Sequence, residues 1–288
     1  MEINYSFIIP HKNCPDLLQR CINSIPERED VQIIVVDDNS DDGKKPSLKE
    51  RKNLHVILLN AQQSRGAGRA RNVGLKYAEG KWLLFPDSDD YYNCGVLKVL
   101  DEYKDKGIDV LYFNFEYRHG IKNNVLPAFY FNEYFVKYDG SAEATKRLKF
   151  HHNVPWTKMV NHDFLRKNKI SFEESPNGND IYFSMKVGYC SNVINVEKRP
   201  LYVYLYYSNS IVNKNKSIVE AFCKLRHQIE LNQFYCFINH REWNQSSILL
   251  FFQFTKRLGV SYFLYVISKT VTLLCHKKSL INFVRTIN

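Results

Sequence analysis

At 288 residues, 44% hydrophobic and 24% charged, the chain is long enough to bury a full core, and its composition excludes an intrinsically disordered protein. A formal net charge of +10 calls for an anionic partner: a nucleotide, a nucleic acid or a lipid headgroup. Seven cysteines (14, 21, 94, 190, 223, 236 and 275) are scattered without a C-x-x-C pair, which excludes a zinc ribbon and a disulfide framework and fits reduced cytosolic thiols.

Met1–Ser6 leads straight into an apolar run, so no signal peptide is expected. Tyr5–Pro10 reads as a first buried strand, followed by a helix from about Asp16 with Leu17, Leu18, Cys21, Ile22 and Ile25 at helical spacing. Gln32–Asp37, rich in β-branched residues, reads as a second strand and opens onto the acidic run Asp37–Asp42. His55–Asn60 is a third strand, running into Arg65-Gly-Ala-Gly-Arg-Ala-Arg-Asn-Val-Gly74 and a helix to about Ala78. Trp82–Pro86 is a fourth strand, followed at once by Asp87, Asp89 and Asp90. A helix near Val96–Lys104 and a fifth strand at Asp109–Phe115 complete a βαβ series, which predicts parallel strands with right-handed crossovers.

Beyond Tyr117 the alternation breaks down. Helices are predicted over Ala142–Phe150 and Asp163–Asn168, and a tyrosine-rich strand over Leu201–Tyr207, which reads as packed structure in preference to a sugar platform. From residue 216 the sequence becomes helical, apolar and basic to its end. The expected division is one domain over 1–215, in two halves at 1–117 and 118–215, and a helical extension over 216–288.

In open α/β sheets ligands sit outside the carboxyl ends of the strands, where both acidic runs fall. Crowded carboxylates there suit Mg²⁺ or Mn²⁺, which commonly bridge a protein carboxylate to substrate phosphates; an Asp-rich turn is the plainer alternative. Asp38 can accept the imide N–H of a uracil ring, and Arg69 or Arg71 can reach a diphosphate or the acidic cluster. Gly66-Ala-Gly68 is not a dinucleotide fingerprint, because Arg71 stands where a small residue is needed and the turn follows the third strand. His151 and His152 are either metal ligands or ordinary loop histidines.

Phe7-Ile-Ile-Pro10, Ile34-Val-Val-Asp-Asp-Asn-Ser40, Gly68-Arg-Ala-Arg-Asn-Val-Gly74 and Phe85-Pro-Asp-Ser-Asp-Asp90, in this order, resemble the successive signatures of family 2 glycosyltransferases. The resemblance implies a GT-A fold, that is, a Rossmann-type, mostly parallel sheet flanked by helices, and a nucleotide-sugar donor, UDP-linked by the Asp38 reading. It also implies a divalent metal (Mn²⁺ or Mg²⁺) on the D-x-D element Asp87-Ser-Asp89, and inversion at the anomeric carbon. It assigns Pro10 and Asp38 to the nucleoside pocket, Arg71 and Asp87 to the donor, and Asp180 as general base. Asn179 stands where the family usually has Glu. Trp156 and Lys158 are similar to an acceptor-side W-x-K element, and Ser208–Ile211, with Ser210, to a late segment closing over the donor. The implied acceptor is a glycan or lipid-linked glycan of bacterial capsule, lipopolysaccharide or exopolysaccharide synthesis.

Two other classes compete. A sugar-nucleotide-forming nucleotidyltransferase needs a Gly-rich basic loop after the first strand, and His11–Cys14 has no Gly. A nucleic-acid-binding protein would not surround two acidic strand ends with its basic residues, so no nucleic acid is expected. From Arg241 onward there are seven Lys/Arg and one acid, Glu242, and Val260, Phe263, Leu264, Ile267, Val271 and Leu274 share a helical face. That pattern predicts an in-plane helix on anionic lipid at the cytoplasmic face of the membrane; a helix packed on the catalytic domain is the alternative.

Overall fold

The computed structural model describes residues 2–120, 132–175, 178–207, 217–238 and 240–269. The chain divides into two compact units: Met1–Ser175 with Asn179–Ser210, and Pro176–Gly178 with Ile211–Asn288.

The first unit is built on eight strands, β1 (Tyr5–His11), β2 (Val31–Asp37), β3 (Leu54–Leu58), β4 (Trp82–Leu84), β5 (Tyr91–Tyr92), β6 (Val110–His119), β7 (Lys158–Asn161) and β8 (Ile194–Tyr206). They form one sheet in the order β3-β2-β1-β4-β7-β6-β8-β5. β1 pairs in parallel with β2 and β4, and β2 with β3. The chain thus walks outward from β1 to β3, then returns to lay β4 on the other side of β1. This reversal opens a crevice at the carboxyl ends of β1 and β4, the usual place for a ligand in such sheets. Every residue of β1 and β2 is buried, as expected for strands covered on both faces.

Around the sheet run α1 (Pro15–Ser24), α2 (Ala67–Leu75), α3 (Val96–Asp101), α4 (Glu133–Val136), α5 (Ala142–His151), α6 (His162–Lys167) and α7 (Asn179–Cys190). α1 starts with Pro15 in its first turn, where a missing N–H costs nothing. Ser141 and Asn161 cap α5 and α6 by accepting from Ala144 and Phe164 N–H.

The expected βαβ series is present, with some boundaries moved. β4 stops at Leu84, two residues before Pro86; α2 ends at Leu75 and α3 at Asp101. The sheet is also mixed. β7 inserts antiparallel between β4 and β6, and two-residue β5 pairs antiparallel with β8 at the far edge. β6 and β8 run parallel with a register shift where Asn114 faces Pro200. Pro200 has no N–H for the ladder, and the Asn114 side chain compensates by donating to Lys198 O (2.9 Å) while accepting from Phe115 N–H (2.8 Å). Tyr92 meets Phe7 of β1 and Tyr202 of β8 edge-on, so distant strands of the curled sheet share one core.

The second unit contains α8 (Ile218–Phe237), α9 (Ser247–Leu258) and α10 (Val260–Ser268). Ser217 and Glu220 form a capping box at the start of α8. Ala221, Phe222 and Leu225 of α8 bury against Phe254 of α9 and Tyr262 and Val266 of α10. Gly259, at φ 73°, ends α9 and begins α10, so the apolar run expected to start there belongs to a second helix that closes at Ser268. No described helix is long and apolar enough to cross a membrane. Val271 and Leu274 lie outside the described residues.

Candidate active site

The loops after β1 and β2 are locked together before any ligand is considered. Asn39 and Asn13 both adopt left-handed backbone at φ 59°, a conformation that Asn tolerates better than most residues. The turn at Asn39 lets Ser40 donate its N–H (3.0 Å) and hydroxyl (2.5 Å) to Asp37, whose Oδ1 also meets His11 Nδ1 at 2.7 Å. Asn13 and Asp41 exchange two further bonds. Asp37 is therefore a buried structural residue, and Asp41 and Asp42 sit outside beside Lys44 and Lys45.

Asp38 is tied instead to the turn that opens α2. Its two carboxylate oxygens accept from Arg65 and Gly66 N–H at 3.1 and 3.0 Å, and Lys12 Nζ lies 3.7 Å away. Asp38 thereby supplies the side-chain cap that α2 lacks in its own N-cap, Gly66. Pro10 lies in β1 next to this edge.

The second acidic cluster resolves into three different carboxylates. Asp90 turns inward and is almost fully buried, accepting from Leu205 N–H (2.8 Å) and from the Tyr202 hydroxyl (2.9 Å). Burial, with Asp89 and Asp87 nearby, pushes its carboxyl well above the usual range. Asp87 faces the crevice and binds Arg71 Nη2 at 2.5 Å, while its N–H donates to the Tyr202 hydroxyl. Asp89 opens to solvent, but its carboxyl group is crowded by protein, and that desolvation, followed by the charge of Asp87, pushes it up to about 6. Arg20 of α1 fixes this turn by donating to Asp89 O at 2.7 Å. Arg20, Asp90 and Tyr202 are positioning residues that the sequence reading missed, and only the D-x-D neighbourhood of Asp90 hinted at them.

Arg71 links the donor edge to the candidate base. It is buried, its guanidinium 5.2 Å over the Phe172 ring, with Nη1 on Asn179 Oδ1 (2.9 Å) as well as Nη2 on Asp87. Asn179 opens α7, and Asp180 follows in its first turn, where the helix dipole favours a carboxylate. Asp180 keeps part of its surface open, yet its carboxyl is enclosed. Burial raises its pKa, Arg71 pulls it down and Asp87 raises it again. Phe85 after β4, Phe172 and Phe183 of α7 pack with ring centroids 3.9–5.1 Å apart and hold α7 against the D-x-D turn.

The remaining expected residues stand elsewhere. Trp156 is buried and stacks on Tyr202 and Tyr204, so the tyrosine run is a packed strand. Lys158 is fully buried, its Nζ donating to Val154 O and to His152 O (2.9 Å). Burial drives its pKa down to about 7 against the upward pull of Asp180. Trp156 and Lys158 thus lie beneath the site, and neither presents a surface to an acceptor. His152 is fully buried beside Phe115, Phe135 and Trp156, with Nε2 on Thr157 Oγ1 and its pKa well below the ordinary range through burial. It is a core histidine, which corrects the metal-ligand alternative. Arg69 pairs with Glu174 at 3.2 Å instead of joining the acidic cluster, and Asp163 pairs with Arg166. Ser208–Ile211, including Ser210, lie outside the described residues.

Among the described residues no three His, Cys, Asp or Glu side chains converge as a metal cage. Asp87 and Asp89 offer two carboxylates, which suits a hard divalent cation completed by substrate phosphates. Burial first, and the charge of Asp87 second, raise the pKa of Asp89, and a cation between the two carboxylates would offset both. The residues fit a metal.

The profile of the glycosyl transferase family 2 domain matches residues 6–168, more than half of the chain. The chain belongs to glycosyl transferase family 2. A relative within that class, the poly(ribitol-phosphate) beta-N-acetylglucosaminyltransferase TarS of Staphylococcus aureus, is 30% identical over 215 residues, 70% of this chain and 35% of its own length. The UDP-Glc:alpha-D-GlcNAc-diphosphoundecaprenol beta-1,3-glucosyltransferase WfaP of Escherichia coli is 34% identical over 89 residues, 30% of this chain and 36% of its own. The chain thus spans about a third of the length of these relatives. The crystal structure of S. aureus TarS 1–349 in complex with UDP-GlcNAc matches with a TM-score of 0.62 at 27% identity, covering 80% of this chain and 67% of that one. The curled mixed sheet and flanking helices of this family 2 glycosyltransferase have the GT-A fold.

Proposed function

We propose that this family 2 enzyme transfers a sugar from a UDP-sugar to a hydroxyl of a glycan or lipid-linked glycan acceptor, with inversion, in cell-surface polysaccharide synthesis. The observation that carries this reading is the bridge through Arg71, which joins Asp87 at the donor edge to Asn179, the residue before Asp180. The relative's UDP-GlcNAc complex and the undecaprenol-linked acceptor in another relative's name support the donor and acceptor classes.

In this scheme Asp38 accepts the imide N–H of uracil and Pro10 walls the nucleoside pocket. Asp87 and Asp89 would hold Mn²⁺ or Mg²⁺, which would supply Lewis-acid stabilisation for the diphosphate leaving group. Asp180 takes the proton of the acceptor hydroxyl as it attacks the anomeric carbon from the face opposite the diphosphate. A raised pKa suits that role, since a general base works best when poised near the operating pH. Arg71 places a positive charge between the two carboxylates, which offsets part of their repulsion. Ser210 belongs to the segment proposed to close over the donor, and Trp156 and Lys158 support the acceptor side from below.

The test is a donor screen that detects nucleotide release from UDP-, GDP- and CMP-sugars, with and without EDTA. UDP-sugars are expected to turn over only without chelator, and Asp89→Ala to lower that turnover on the order of a hundredfold, as for other lost electrostatic stabilisers. Wild-type turnover by Asp89→Ala, or full activity in EDTA, would sink the metal assignment. Release from GDP- or CMP-sugars alone would sink the uridine assignment.

A further inference from the structure

The two last described helices each carry two apolar faces, and the core of their unit needs only one of them. On α9, Phe254 is buried and Leu250, Phe251 and Leu258 pack against the same cluster. On α10, Tyr262 and Val266 are buried and Tyr265 packs beside them. The opposite faces are bare: Ile248, Leu249 and Phe252 of α9 are 58–71% exposed, and Val260, Phe263, Leu264 and Ile267 of α10 are 40–70% exposed. At 3.6 residues per turn, each of these sets falls within about 100° of arc, on the side away from the buried residues. Phe251, on the packed side of α9, meets Phe263 of the bare face of α10 with ring centroids 5.9 Å apart, so the two helices adjoin there. Single exposed apolar residues are ordinary, but seven on two adjoining helices mark an interaction surface.

Charge says which kind of partner fits. Lys256, Arg257 and Lys269 are exposed at the C-terminal ends of α9 and α10, and Lys256 lies on the same arc as Ile248, Leu249 and Phe252. Glu242 is the only acidic residue in the sequence from 241 to 269. No ion pair holds Lys256 or Lys269 among the described residues. An apolar face that carries Lys256, with Arg257 and Lys269 at the helix ends and no described acid on either helix, matches anionic lipid, whose acyl chains take the Ile, Leu and Phe side chains while phosphates meet Lys256. The helices, 12 and 9 residues long and separated at Gly259, are each well short of the roughly 20 residues a spanning helix needs, which leaves the in-plane arrangement. We infer that the bare faces of α9 and α10 form a foot that lies in the headgroup region of an anionic bilayer. This goes beyond the donor chemistry above and stands or falls separately from it.

Full-length protein is expected to co-float with vesicles of phosphatidylcholine plus phosphatidylglycerol, and to stay unbound with phosphatidylcholine alone. Binding should weaken with salt, since charges near the surface are screened. Lys256→Gln should weaken partitioning roughly fivefold, the equivalent of about 1 kcal/mol per surface lysine. The Phe252→Ser/Leu264→Ser variant should abolish flotation while keeping the wild-type melting temperature and any UDP-dependent thermal shift, because neither side chain is in the core. Three results would overturn the inference: no flotation of full-length protein on anionic vesicles at low salt; a dimer in solution that Phe252→Ser/Leu264→Ser disperses, which would assign the face to a second copy; or a lowered melting temperature in that variant, which would assign the face to another segment of the chain.

Discussion

Asp180 and Lys158 illustrate how burial, more than residue type, sets what a charged side chain can do. Asp180→Asn keeps size and hydrogen bonding but cannot take a proton. The variant is therefore expected to fold and bind UDP like wild type while losing transfer by about a hundredfold or more. The measurement is a rate of transfer beside a UDP titration. A normal rate would move the role to Glu173, since Glu174 is tied to Arg69 and Asn72 and Asp163 to Arg166. Lys158 makes a different prediction, about pH. Its folded pKa of about 7 lies far below the 10.5 of an unfolded lysine. Between those values the unfolded chain binds a proton that the folded one does not, so folding stability gains with rising pH and the penalty is greatest below pH 7. Relative to Lys158→Met, which has no such group, wild type should gain up to about 1.4 kcal/mol per pH unit from pH 7 toward 10. Urea unfolding of both proteins at pH 7, 8 and 9 checks this. A constant difference would mean that Lys158 stays charged in the fold.

Between elements, the site depends on how closely α2 approaches the segment that leads into α7. A Cβ on Gly68 would lie 2.1 Å from Glu173 O and 2.8 Å from Asn179 Cβ, and backbone cannot move aside cheaply. Gly68→Ala is expected to cost about 1–3 kcal/mol, as for other overpacked positions. It should also lower turnover more than UDP affinity, because Asn179 and Asp180 are displaced together. Unchanged urea midpoints would show that the approach is not a constraint. This contact also shows what the sequence could and could not convey. Continuous apolar runs announce β1, β2 and β4, the acidic and basic motifs that follow the strands point to Asp38, Arg71 and Asp87, and only the family resemblance points to Asp180. The insertion of antiparallel β7 beside β4 was not legible, because four residues of Lys-Met-Val-Asn carry no pairing signal of their own. Nor was the fate of Asp90: three neighbouring aspartates read alike until Tyr202, 112 residues away, claims one of them. The likeness of Trp156 and Lys158 to a W-x-K element points to the acceptor side, but a motif carries no burial information, and backbone carbonyls of the preceding loop enclose Lys158.

At the scale of the whole chain, the proposed donor contacts all lie in one of its two compact units, so donor binding is expected to be linked to the folding of that unit. Pro10, Asp38, Arg71, Asp87, Asp89 and Asp180 all belong to Met1–Ser175 and Asn179–Ser210. A ligand that binds only the folded form stabilises what it binds by mass action, about 2.7 kcal/mol at a hundred times its dissociation constant. For a unit of this size that corresponds to a rise of roughly 5–11 °C in Tm. UDP with Mn²⁺ is therefore expected to raise the melting transition of the first unit by this much. Where calorimetry separates two transitions, the one belonging to α8, α9 and α10 should stay in place, because no proposed donor contact lies there. Asp38→Ala should reduce the shift for UDP and leave a smaller, metal-dependent one from the diphosphate. CDP offers no imide N–H, so it should already resemble that variant with the wild-type protein. Equal shifts from UDP and CDP would remove the uracil contact from Asp38 and leave a diphosphate site, and no shift from either at saturating Mn²⁺ would remove the donor site from this crevice.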